Sequence, residues 1–76
     1  MPTLDQLQPG QRGRILSLQG DAAVSQRLME LGMLEGAEIE MVGFAPLGDP
    51  MEVRLGTARL TLRRRDAVSV EIHEIT

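Results

Sequence analysis

The sequence predicts a mainly β domain, a small five-stranded barrel with one short α-helix between the first two strands. Apolar residues alternate with polar ones, strictly or in part, in five short segments. Gly, Pro and Asp punctuate the chain about every eight to twelve residues, the rhythm of small sandwiches and barrels. A helical period occurs in one stretch only, between the first and second of those segments. Closure of the barrel would remove exposed strand edges, but an open sheet with the helix across one face satisfies the same pattern. A chain of 76 residues makes one domain, residues 1–76, and a domain of that size buries only about 60% of the surface its unfolded chain exposes.

The first element is a brief turn. Thr3 and Gln6 stand at capping-box spacing, Leu4 and Leu7 anchor the turn, and Pro9-Gly10 ends it. Gly13 to Leu18 reads as the first strand. Ile15, Leu16 and Leu18 break strict alternation, which requires a bulge or burial on both faces. Asp21 to Gly36 then carries the helix. Asp21 can accept the orphan amides of its first turn, and Gly32 can adopt the left-handed conformation that closes the last. Val24, Leu28 and Leu31 fall at i, i+4 and i+7 as one apolar stripe. Gln26, Arg27 and Glu30 project from the other side, with Arg27 and Glu30 spaced to pair. At about ten residues this helix is too short to persist alone in water.

Glu38 to Phe44 is the second strand, with Ile39 and Met41 on one face, Glu38 and Glu40 on the other, and Gly43 interrupting the ladder. Ala45-Pro-Leu-Gly-Asp-Pro50 is a rigid loop, since two prolines exclude both helix and central strand. Met51, Val53 and Leu55 alternate with Glu52 and Arg54, and Ala58, Leu60 and Leu62 with Arg59, Thr61 and Arg63. With Gly56-Thr57 between them these form a two-residue hairpin. Its register sets Val53 opposite Leu60 inside and Arg54 opposite Arg59 outside, a like-charge pair that calls for an acidic neighbour, either Glu52 or a partner protein. Arg64 to Ala67 is one tight turn. Val68, Val70 and Ile72 form the last strand, with Ser69, Glu71 and His73 on its other face.

The net charge of −3 conceals an asymmetry: all eight basic residues are arginine, and five of them (Arg54, Arg59, Arg63, Arg64 and Arg65) lie in a segment without an acid. Such a cluster pairs well with phosphate or carboxylate, although most charge runs are simply solvated faces. The single aromatic residue, Phe44, provides no base-stacking platform, so nucleic acid is an unfavoured partner. The chain lacks cysteine, which suits a reducing cytoplasm, and no apolar run is long enough to span a bilayer.

Catalytic and cofactor chemistry are not expected. The one histidine, His73, has no nucleophile beside it, and without lysine there is no phosphate-cradling loop of the P-loop kind. Glu71 and His73 share a strand face, yet two ligands do not close a metal site, and the five methionines read as core filler. No resident metal or cofactor is predicted.

Arg27-Leu28-x-x-Leu31-Gly32-Met33-x-x-Gly36, then Ala45-Pro-Leu-Gly-Asp-Pro50, then Leu60-x-Leu62-Arg63 and Ala67 together resemble the FeoA family over nearly the whole chain. Glu35 is a departure, since the family often has proline before that glycine. The resemblance implies an SH3-like β-barrel and a small cytoplasmic accessory protein of bacterial ferrous-iron uptake. It also implies a partner, the membrane transporter FeoB, whose cytoplasmic part binds GTP. Similar domains at the end of metal-dependent repressors suggest instead a peptide-binding or dimerising module, which leaves homo-oligomers open; an RNA-binding small barrel would rest on the arginines alone. The chain begins at Met1 with no winged-helix segment ahead of it, which favours the free-standing accessory protein.

The expected docking surface combines the Ala45 to Pro50 loop, including Leu47 and Asp49, with Phe44 and the hairpin's outer arginines, Arg54 and Arg59. Strand parity turns Phe44 outward, whereas a bulge at Gly43 would turn it inward. The purified protein is expected neither to hydrolyse nucleotide nor to retain stoichiometric Fe²⁺; tight Fe²⁺ binding that His73→Ala abolishes, measured by equilibrium dialysis, would overturn that expectation.

Overall fold

A computed structural model describes residues 2–75 of the chain. The opening turn, Leu4–Gln6, is a 3₁₀ turn, and the Thr3 amide donates to Gln6 Oε1 at 2.9 Å. Leu4 and Leu7 are buried beneath it. There follow β1 (Arg12–Leu18), α1 (Ala22–Glu30), β2 (Glu38–Phe44), β3 (Met51–Leu55), β4 (Ala58–Leu62), α2 (Arg64–Ala67) and β5 (Val70–Glu74). The strands form one antiparallel sheet in the order β4-β3-β2-β1-β5.

This sheet is not closed. Among the described residues no ladder joins β4 to β5, so the closed barrel is corrected to an open five-stranded sheet. The free side of β5 is taken by the start of the chain: Thr3 bridges Glu71, and the Ile72 amide donates to the Pro2 carbonyl at 3.0 Å. Backbone groups that would have to receive β4 are thus already satisfied.

Inward-facing residues of every strand build the core. Ile15, Ile39, Met41, Val53, Val70 and Ile72 are all fully buried. β1 slips its pairing with β5 between Ile15 and Ser17, which is how its uneven apolar pattern is accommodated. β2 slips against β3 between Met41 and Gly43, so that Phe44 comes opposite buried Met51 and packs half-buried against the core. The hairpin has the expected register, Val53 opposite Leu60 and Arg54 opposite Arg59, across a turn in which Gly56 takes φ +64°.

Helix α1 starts where the sequence places it, with Asp21 Oδ1 accepting the Val24 amide at 2.9 Å. Its end is a Schellman motif: Gly32 N–H donates to the Met29 carbonyl at 2.9 Å and Met33 N–H to the Leu28 carbonyl at 3.1 Å. Gly32 sits at φ +97° to allow this. The reversal swings Met33 into the core beside Leu28, and Leu31, expected as the third residue of the stripe, is instead 41% exposed. The helix ends at Glu30, before the stripe completes its second turn. Arg27 also departs from expectation, reaching Asp66 Oδ1 of α2 at 3.1 Å rather than Glu30. Val68 ends α2 and lies 49% exposed, so the last strand begins at Val70.

Leu28→Ala is expected to cost about 2–5 kcal/mol, because the buried side chain leaves a cavity that the surrounding sheet cannot fill. Denaturant melts showing a loss below about 0.5 kcal/mol, the size of a surface change, would contradict this packing.

Candidate docking site

The loop between β2 and β3 is closed on itself and clamped from outside. Ala45 N–H donates to the Pro50 carbonyl at 2.9 Å, and Gly48 N–H to the Ala45 carbonyl at 2.7 Å. Asp49 Oδ1 accepts the backbone amide of Arg64 at 2.9 Å, satisfying one of the orphan donors at the start of α2. The Arg64 side chain returns the contact, with Nε donating to the Gly48 carbonyl at 3.4 Å and its guanidinium 4.9 Å from the centroid of the Phe44 ring. That distance is within cation–π range. Leu47 stands at the tip, 96% exposed. Because the loop backbone is pre-ordered, a partner that covers Leu47 has little backbone freedom left to freeze.

Beside the loop a shallow depression of about 320 Å³ is lined by Val42, Phe44, Ala45, Pro50, Glu52 and Thr61 among others. It joins the base of the loop to the outer face of the β3–β4 hairpin, the two surfaces that the sequence combines. The expected residues nevertheless divide. Leu47 is free at the surface, Phe44 is half-buried under Arg64, and Asp49 already serves α2. Arg54 and Arg59 do not need a partner's carboxylate, since Glu40 lies 2.9 Å from Arg54 and Glu52 lies 3.3 Å from Arg59. All four side chains are substantially exposed, so each pair contributes at most about 1 kcal/mol, but the repulsion that argued for an external acid is relieved within the chain. Arg63 and Arg65 are exposed and form no ion pair with any described residue.

Two features escape the sequence. Arg64 gave no local signal, because its partners Phe44, Gly48 and Asp49 are brought to it only by the fold. Met29 and Leu34, both exposed, line a second cleft of about 260 Å³ with Leu18, Ser25 and Met33; they lie off the Val24–Leu28 stripe, and only the Schellman turn brings them together. Glu71 accepts a hydrogen bond from Ser17 Oγ at 3.0 Å while His73 is exposed. Among the described residues no three His, Cys, Asp or Glu side chains gather as a metal site, and no helix is long and apolar enough to cross a membrane.

A family model described as the FeoA domain matches residues 3–74. The chain belongs to the FeoA family. The FeoA protein of Chlorobium tepidum, solved by NMR, is 39% identical with a TM-score of 0.91 over 99% of this chain and 71% of that one. A zinc complex of Stenotrophomonas maltophilia FeoA, described as a prokaryotic SH3 domain protein, is 33% identical with a TM-score of 0.83 over 95% of this chain and 89% of that one. The fold is thus SH3-like. A Porphyromonas gingivalis protein described as a fusion of Fe(2+) transport protein A with the Fe(2+) transporter FeoB is 33% identical over 73 residues. Those residues are 96% of this chain and 9% of the fusion protein. A manganese-dependent transcriptional repressor shares the fold at a TM-score of 0.84 with 13% identity, a likeness of architecture alone.

Asp49→Ala removes the acceptor for the Arg64 amide and is expected to cost about 0.5–2 kcal/mol, the range for lost helix caps. Leu47→Asp, at a residue with no packing to lose, is expected to stay within about 0.5 kcal/mol of the parent. Urea melts of both variants check the division between a structural and a presented residue; equal losses would refute it.

Proposed function

We propose that this FeoA-family protein is an accessory of bacterial ferrous-iron uptake, without catalysis of its own, that docks on the cytoplasmic side of a FeoB-like transporter. One observation carries the reading: a relative that aligns with 96% of this chain at 33% identity has the transporter on the same polypeptide. Fusion makes the association intramolecular, so that the docking partner is always present at high effective concentration. An FeoA domain on a separate chain from its transporter would need the same association through its surface. The clamped loop supports this role, because Leu47 is a solvent-exposed apolar anchor on a rigid support, and the depression beside it gives a partner side chain a place to bury. Iron in this reading is the transporter's cargo, and the accessory acts through contact.

Wild-type protein is expected to capture the transporter from detergent-solubilised membranes and to restore Fe²⁺ uptake in cells lacking the accessory. Leu47→Asp, verified as folded, is expected to lose both. Equal capture and uptake by the variant would move the surface elsewhere. Failure of wild type to associate with the transporter under any nucleotide condition would end the docking proposal.

A further inference from the structure

The two edges of the open sheet are treated differently. β5 is covered by Pro2 and Thr3, whereas among the described residues β4 pairs only with β3. In a hairpin closed by two residues the pair flanking the turn, here Leu55 and Ala58, is the hydrogen-bonded kind, and the kinds alternate from there. Leu60 and Leu62 therefore spend their backbone groups on β3, and Arg59 and Thr61 turn theirs to the open side. Among the described residues no other hydrogen bond reaches those groups. Side chains along the edge sort by face. Ala58 is exposed and Leu60 half-buried on the inner side, while Arg59, Thr61 and Arg63 are exposed on the outer. Thr61 also lines the depression that leads to the Leu47 loop.

We infer that the outer edge of β4 accepts an extended segment of a partner protein as a sixth strand, and that this segment alternates apolar with acidic residues. Backbone bonds to Arg59 and Thr61 supply the register. Apolar side chains of the segment cover Ala58 and Leu60, and its carboxylates meet Arg59 and Arg63, of which Arg63 has no acid of its own among the described residues. An antiparallel β4–β4 ribbon centred on Thr61 would set each Arg59 opposite an Arg63 of the other copy, a like-charge arrangement that opposes pairing. The same arginines that oppose this register of self-pairing favour an acidic strand. The inference goes beyond the docking reading and stands whichever protein supplies the segment.

The test uses the intact protein, isotopically labelled, titrated with a capped peptide of alternating Val and Glu and followed by NMR. The expected result is a saturable perturbation centred on the Arg59 and Thr61 amides, with slowed hydrogen exchange at both. A Lys-for-Glu peptide is expected not to bind, and N-methylation of the peptide along one edge is expected to abolish binding, as only a backbone ladder requires. The Arg59→Glu, Arg63→Glu variant, confirmed as folded by its spectrum, is expected to weaken binding by at least about tenfold. The inference is overturned if the peptide gives no saturable perturbation up to its solubility limit, or if perturbations centre away from β4. It is equally overturned if the Lys or N-methylated peptide binds as well, or if charge reversal changes nothing. Loss of transporter capture by Leu47→Asp is read separately, so either conclusion can fail without the other.

Discussion

The extra residue that β2 carries between Met41 and Gly43 changes the side of the sheet to which the next side chain turns. Phe44 is thereby placed opposite Met51 and against the core instead of facing solvent with Glu38 and Glu40. Its ring then becomes the surface on which Arg64 lies, and from that position Arg64 holds Gly48 with its side chain and Asp49 with its backbone. The Ala45 to Pro50 loop is rigid because of this sequence of contacts as much as because of its prolines. An exposed Leu47 on an ordered backbone is the outcome.

The same open topology that denies the molecule a closed barrel distributes its exposed edges. Pro2 and Thr3 pair with β5, and among the described residues no strand pairs with the outer backbone of β4. The arginines that border β4 are well suited to that position: they are long and cationic, and a like charge opposite them is unfavourable unless an acid relieves it. Their neighbours also explain why a net acidic chain tolerates such a cluster. Glu40 and Glu52 neutralise Arg54 and Arg59 on the sheet face, and Asp66 answers Arg27. The positive character that remains is local, around Arg63 and Arg65 beside the loop.

Helix α1 shows how a short element can be held with few resources. One cap at Asp21, one Schellman reversal at Gly32 and one buried leucine place it, and Arg27 ties it to α2. The cost of ending the helix at Glu30 is an exposed Leu31. The gain is Met33, which enters the core through the reversal and replaces the leucine the helical period would have supplied.

Much of this was written locally. The Asp21 cap, the Gly32 terminator, the Glu38–Phe44 strand, the Gly56-Thr57 turn and the register that opposes Arg54 to Arg59 all follow from residue types within a few positions of one another, because caps, turns and alternation are short-range steric and hydrogen-bonding effects. The family was legible for the same reason, in the Arg27 to Gly36 and Ala45 to Pro50 strings. What the chain could not show locally was decided by segments distant in sequence. Leu31 and Val68 are exposed because helix ends and packing, not periodicity, chose the buried residue. Arg27 prefers Asp66 because the fold brings α2 to it. Arg59 pairs with Glu52, the acid the hairpin pattern already offered, but Arg54 finds Glu40 on the neighbouring strand, and Arg64 finds Phe44 only once β2 has bulged. Whether the sheet closes was likewise beyond the pattern of alternation, since it turned on which strand edge the first residues of the chain would cover.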